Sequence, residues 1–128
     1  MTAEEINGLK DYLGGTPKPV DFEIFWKERM EEADAVPLEY TICQAKEVPS
    51  FAQTLFLDLW FKGMNGADIY GKFLCPKASE PVPLVLQFHG YPGASRSWAE
   101  QASFPGMGMA LLAMDCPGQG GLGTDAGG

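Results

Sequence analysis

Leu84-Val85-Leu86-Gln87-Phe88-His89-Gly90-Tyr91-Pro92-Gly93 is the stretch whose reading decides the fold. Its first five residues make a short, nearly continuous apolar run, the pattern of a strand covered on both faces of a parallel sheet, and its last five carry turn chemistry. A second such run, Met109-Ala110-Leu111-Leu112-Ala113-Met114, follows downstream. Between them, Ser97 to Phe104 has room for a helix capped by Ser95 or Ser97 and ended at Pro105-Gly106, so the unit reads strand, helix, strand. Two parallel strands joined by a right-handed crossover are the expected geometry, and ligand sites in open α/β sheets gather at the carboxyl ends of such strands.

Upstream the period falls to two. Leu38-Glu39-Tyr40-Thr41-Ile42-Cys43 alternates as a strand, and Thr54 to Lys62 puts Leu55, Leu57, Leu59 and Phe61 on one face and Phe56, Asp58 and Trp60 on the other, so both faces are at least partly covered. Gly63-Met64-Asn65-Gly66 supplies a turn into a partner strand, Ile69 to Leu74, which Pro76 ends, giving an antiparallel hairpin. Two helices are expected earlier. Residues Glu4 to Leu13 place Ile6, Leu9 and Leu13 on one face before Gly14-Gly15, and Asp21 caps a second helix in which Phe22, Phe25, Trp26, Arg29 and Met30 keep helical spacing. The aromatic stripe of that helix is expected to be core. The chain thus divides into a helical segment, 1–36, and a partial α/β domain, 37–128.

With 128 residues, 45% of them apolar, the chain is long enough for one core. Nine Lys and Arg against seventeen Asp and Glu give a net charge of -8, which repels phosphate backbones and anionic lipid, so neither nucleic acid nor a membrane surface is an expected partner. No window approaches the ~20 apolar residues of a membrane span. The opening Met1-Thr2-Ala3-Glu4-Glu5 is acidic where a secretory signal is basic, and the expectation is a cytoplasmic protein. Cys43, Cys75 and Cys116 are widely spaced with no C-x-x-C pair, the pattern of reduced thiols in or near strands and of no disulfide framework or metal site. His89 is the single histidine.

The loop after Phe88 is the most informative segment. Gly90 permits backbone angles closed to other residues, so the loop can aim one or two N–H groups outward, and aimed amides stabilise an oxyanion. In α/β-hydrolases one of the two oxyanion donors comes from the loop after the third core strand, commonly a His-Gly segment. The plainer alternative is a tight turn whose glycine and proline serve geometry alone. At the end of the second apolar run, Asp115-Cys116-Pro117-Gly118-Gln119-Gly120-Gly121-Leu122-Gly123 contains G-x-G-x-x-G, the dinucleotide fingerprint. That fingerprint needs a helix opened by the glycines and an acidic residue about twenty positions on, and neither follows. The other possibility is a Gly-rich turn, Asp-x-x-Gly-x-Gly, that closes the top of the sheet beside the His89 loop.

Several stretches together resemble the acetyl xylan esterase and cephalosporin C deacetylase family, carbohydrate esterase family 7 of the α/β-hydrolases. They are Pro19-Val20-Asp21-Phe22 to Phe25-Trp26, Pro37-Leu38, Asp58-Leu59-Trp60-Phe61, Gly63 to Gly71, Phe88-His89-Gly90-Tyr91, Ser97-Trp98, and Ala113-Met114-Asp115 with Gly118-Gln119-Gly120-Gly121. The resemblance spans nearly all of this chain and only the front part of the family's fold. It implies helices, an antiparallel hairpin and the first parallel βαβ unit of an α/β-hydrolase. It also implies a serine esterase of small acetylated sugars or similar acetyl esters, with no cofactor or metal, assembled as a homo-oligomer. On this resemblance the backbone N–H of Tyr91 is an oxyanion donor, His89 and Gly90 belong to the active-site loop, and Asp115, Gly118, Gln119 and Gly120 form a structural turn nearby. Two features depart from the family: Pro117 stands where an Arg is usual, and the segment from Trp98 to Met109 is short.

The chemistry is incomplete. Acyl transfer on this fold needs a serine on a G-x-S-x-G elbow, then an acid, then a histidine. The five serines, Ser50, Ser79, Ser95, Ser97 and Ser103, offer at best Gly93-Ala94-Ser95-Arg96-Ser97, which lacks the second glycine. His89 falls in the oxyanion loop, where its expected work is to anchor the loop by hydrogen bonds. The chain alone is therefore expected to be inactive, its Leu84 to Phe88 strand to lie at a bare sheet edge, and its tail from Gly118 to be disordered unless something packs on it. The alternative function is a non-catalytic carbohydrate-binding or interaction module that stacks sugars on Trp60, Trp98 and Tyr91.

Overall fold

The computed structural model describes residues 6, 7, 10–12 and 14–126, which fall into two compact units, Met1–Glu31 and Glu32–Gly128. The helix expected over Glu4 to Leu13 lies largely outside the described residues. The first unit holds most of helix α1, Phe22–Asp34, whose first turn closes with the Phe25 N–H donating to the Asp21 carbonyl. The rings of Phe22, Phe25 and Trp26 meet edge to face, Lys18 and Arg29 lie over the Phe22 and Phe25 rings, and Lys18 pairs with Glu23. No residue of α1 is buried, so the aromatic stripe is not core as expected. Its rings pack on one another and on cations instead.

The second unit is a mixed α/β structure built on one five-stranded sheet. Its strands are β1, Tyr40–Gln44; β2, Thr54–Lys62; β3, Asp68–Pro76; β4, Leu84–Phe88; and β5, Ala110–Met114, in the order β1-β2-β3-β5-β4. β1 begins at Tyr40, short of the expected Leu38. β2 and β3 form the expected hairpin, in register from Thr54 opposite Pro76 to Lys62 opposite Asp68, across the tight turn Met64–Gly66. β5 runs antiparallel to β3 and parallel to β4. Putting β5 between β3 and β4 sets the carboxyl ends of the two parallel strands side by side, with Phe88 opposite Met114.

The register assigns the faces. Phe56, Leu74, Leu111 and Ala113 share one face and, with Ala45, form the buried core, against which Val48, Val85, Trp98, Ala102 and Phe104 pack. The connection between β4 and β5 is two short helices, α2, Trp98–Gln101, and α3, Ser103–Gly106, where a single helix was expected. Pro105 explains the break, because it has no N–H to offer the Gln101 carbonyl. Ser97 caps α2 in a full capping box with Glu100, while Ser95 does other work.

β4 departs from the expectation of a strand covered on both faces. Among the described residues it pairs only with β5, and Leu84, Leu86 and Phe88 are 54%, 57% and 62% exposed. The expected bare edge is present, and one face of the strand is open with it. No helix among the described residues is long and apolar enough to cross a membrane.

An exposed apolar edge with unpaired backbone groups templates pairing with another chain. At micromolar concentration this 128-residue chain is expected to self-associate, and Leu86→Lys to shift it toward monomer in sedimentation velocity. Equal sedimentation of the two forms would remove the edge as the cause.

Candidate active site

The loops leaving β4 and β5 start as neighbours and lock together at once. The Cys116 N–H donates to His89 Nε2 at 2.9 Å, and His89 Nδ1 lies 3.1 Å from the Gly90 carbonyl. A nitrogen that accepts from an amide carries no proton, so the hydrogen sits on Nδ1 and is given to Gly90, the neutral tautomer. Both ring nitrogens are thereby used within the two loops. An imidazole so engaged holds backbone in place and has no free lone pair for a base.

The second lock is backbone to backbone. Gly93 N–H closes a turn on the Gly90 carbonyl at 2.8 Å, and Gly120 N–H donates to the Pro92 carbonyl at 3.3 Å. A Cβ on Gly93 would sit 2.8 Å from the Gly90 oxygen, and one on Gly120 would sit 2.8 Å from the Gly93 oxygen. These two positions need glycine because main chains touch there. Gly90, expected to need special backbone angles, does not: its φ lies outside the left-handed region and a Cβ there would meet nothing within 4 Å.

Asp115 makes the third lock from the end of β5. Its side chain is 2% exposed; Oδ1 accepts from the Ser95 N–H at 2.7 Å and Oδ2 from the Leu122 N–H at 3.0 Å. One carboxylate thus spans both loops. Burial pushes its pKa up, but hydrogen bonds from Ser95 and Leu122 and the nearby Lys72 charge outweigh burial and hold it below the usual carboxylate range. The segment after Gly118, expected to be disordered unless packed on, makes turns and is packed on through Thr124. Thr124 exchanges two 2.8 Å hydrogen bonds with the Asp68 backbone at the start of β3. The glycines therefore do not open a helix, as the dinucleotide fingerprint requires.

Lys72, which no sequence motif marks, reaches the same loop from β3. Its Nζ donates to the carbonyls of Ser95 at 3.2 Å and Arg96 at 2.8 Å. The one signal in the sequence is a lysine on a strand face otherwise carrying Tyr70 and Leu74. Beneath the site, the Tyr70 hydroxyl donates to Asp58 at 2.7 Å; burial first, then the Asp58 carboxylate, raises its pKa and keeps it protonated.

Amid these locks Tyr91 is untied. Among the described residues its N–H donates to no acceptor, and its side chain is 85% exposed. A cavity of about 320 Å³ opens beside the loop, lined in part by His89, Gly90, Gly93 and Arg96. Trp60 meets Tyr70 at a tilt with 4.9 Å between ring centres, and Trp98 meets Phe56 edge-on at 5.8 Å; both indoles are half-buried. Among the described residues no three His, Cys, Asp or Glu side chains converge as metal ligands.

The sequence model of the acetyl xylan esterase (AXE1) family matches residues 1–128. Among solved structures, acetyl xylan esterase 1 from Thermoanaerobacterium sp. JW/SL YS485 is similar over all of this chain at 30% identity and a TM-score of 0.86. An acetyl xylan esterase from Paenibacillus sp. R4 is similar over 94% of it at 28% identity and a TM-score of 0.79. This chain spans only 39% of the length of each.

The Asp115 carboxylate gives the site an acid signature. Its folded pKa is depressed, so its contribution to stability is complete above the unfolded value of 3.8 and is lost as pH falls through the lower folded value. Asp115→Asn is expected to cost about 1–3 kcal/mol at pH 6 and to flatten the fall in the urea midpoint below about pH 4. An unchanged midpoint at pH 6 with an unchanged acid slope would show that the carboxylate does not hold the loops.

Proposed function

Since the chain belongs to the acetyl xylan esterase family, we propose that it is the amino-terminal portion of a cytoplasmic serine carboxylesterase of α/β-hydrolase fold. The whole enzyme removes acetyl groups from acetylated xylo-oligosaccharides, or from similar small acetyl esters such as cephalosporin C. Residues 37–128 are the front of the hydrolase domain, and the contribution of this segment is one oxyanion donor, the Tyr91 N–H.

The single observation that carries the proposal is the contrast within one loop. On either side of Tyr91 the loop is fixed by the Cys116 N–H on the His89 ring, the Ser95 N–H on Asp115 and the Gly120 N–H on the Pro92 carbonyl, while the Tyr91 amide itself has no acceptor among the described residues. A donor held in place before the reaction stabilises the negative charge that develops on the ester carbonyl oxygen without reorganising, and one such donor lowers the barrier by about 3 kcal/mol. Everything else the reaction needs lies elsewhere in the enzyme: the nucleophile that attacks the acetyl carbon, the base that takes its proton, the acid that orients the base, and the second donor. His89 is committed to Cys116 and Gly90 and serves as the loop's anchor. No cofactor enters this chemistry. For the sugar-stacking alternative, Tyr91 is exposed, while Trp60 and Trp98 are half-buried and each spends one ring contact, on Tyr70 and Phe56.

Two measurements test the proposal. The 128-residue chain alone is expected to cleave 4-nitrophenyl acetate no faster than free imidazole; faster cleavage that disappears in His89→Ala would make His89 a catalytic base instead of an anchor. In the enzyme continued to its relatives' length, Tyr91→Pro, which removes the N–H, is expected to lower kcat by about 10²–10³-fold with KM little changed. Tyr91→Phe keeps the amide and should keep kcat. A Tyr91→Pro enzyme as fast as Tyr91→Phe would overturn the assignment.

A further inference from the structure

The loop from His89 to Ser97 is held at its near end by His89, the Gly90–Gly93 turn and Gly120. Its far end is held differently. Ser95 is gripped at both poles of its backbone: the N–H points to the Asp115 carboxylate at 2.7 Å, and the carbonyl accepts from the Lys72 ammonium at 3.2 Å. The same ammonium donates to the next carbonyl, Arg96, at 2.8 Å and lies 5.7 Å from the centre of the Trp98 ring, just past the loop's end. Lys72 stands on β3 opposite Asp58 of β2 and Ala113 of β5, on the face that carries the buried Phe56, Leu74 and Leu111. A flexible cation drawn across such a face is ordered only by partners that use its charge and its three donors. Two carbonyls and one aromatic face supply them, and the Asp115 carboxylate, itself bonded to Ser95 and Leu122, adds only its nearby charge.

We propose that Lys72 is a positioning residue of this site, whose ammonium clamps the Ser95 and Arg96 carbonyls and so fixes the far arm of the loop that presents the Tyr91 amide. This deepens the oxyanion assignment and rests on it. The anion holds the N–H and the cation the carbonyl of the same residue, so neither alone sets its place. Without the ammonium, residues 94–97 keep, among the described residues, the Asp115 bond, the Ser97 cap and the Gln101 N–H on the Ser97 carbonyl. The play that results is passed through Gly93 to the Pro92–Gly120 contact and to the Tyr91 amide next to it. The contact needs a donor with reach, so arginine is able to replace Lys72 in part, and methionine, of similar length without donors, is not.

The test is amide hydrogen exchange by NMR on the enzyme continued to its relatives' length and on its Lys72→Met and Lys72→Arg variants. The amides read are Gly93, Ser95 and Gly120, which donate to Gly90, Asp115 and Pro92, with the β2–β3 hairpin amides as internal reference. Lys72→Met is expected to speed exchange of the three loop amides by about tenfold or more while the hairpin stays as in the parent, and Lys72→Arg to restore most of the protection. Loop protection within twofold of the parent in Lys72→Met overturns the clamp, as does a parent chain whose three loop amides are unprotected. An equal rise in the hairpin overturns it too, since Lys72 would then support the sheet at large. Failure of the oxyanion assignment shows elsewhere, as an unchanged kcat in Tyr91→Pro, so the two are told apart.

Discussion

A buried carboxylate with a backbone N–H on each of its oxygens is the constraint on which the rest of this site depends. Asp115 leaves β5 at the top of the sheet, and through Ser95 and Leu122 it ties the loop after β4 to the loop after β5. The charge is kept because its partners satisfy it better than water does, which is the meaning of its lowered pKa despite burial. No neutral side chain of that length brings two acceptor oxygens to two amides. The arrangement follows from topology: β5 lies between β3 and β4, so its exit is the one point from which both the neighbouring loop and β3 are in reach. His89, Gly93 and Gly120 then close the remaining gaps by hydrogen bonds and by main-chain contact.

The sheet has two unequal sides. On one, Phe56, Leu74, Leu111 and Ala113 are covered by the helices between β4 and β5 and by the segment around Ala45 and Val48. On the other, Leu84, Leu86 and Phe88 stand open at the end of the sheet. The chain spans 39% of the length of its structural relatives, and its apolar edge strand is the outermost of the sheet.

Much of this was legible in the residues. The β2–β3 hairpin could be read because two-residue alternation over Thr54 to Lys62 and the Gly63-to-Gly66 turn are both local signals. The parallel pair β4 and β5 could be read from two apolar runs flanking a capped segment. What escaped depends on where distant pieces meet. Apolarity in Leu84 to Phe88 says what the strand prefers beside it, and not whether anything is there. One helix ending at Pro105-Gly106 was expected where there are two, because the missing N–H of Pro105 acts a turn earlier, at the Gln101 carbonyl. Lys72 was invisible, since a single lysine in an alternating strand looks like a solvated side chain until its carbonyl partners twenty-odd residues on are in place. Gly90 drew attention by its neighbour His89, yet it is Gly93 and Gly120 that main-chain contact requires to be glycine, a need that arises only when two loops touch.

That touching has a practical side for anyone who would reshape the rim of this pocket. Where bare main chains abut, as at Gly93 and Gly120, the genetic code offers no second letter: even alanine wedges the loops apart. Gly90 borders the same hollow and faces empty room, so a diversified library built there explores new side chains without disturbing the frame, and the three glycines, alike on paper, divide into two keystones and one open window.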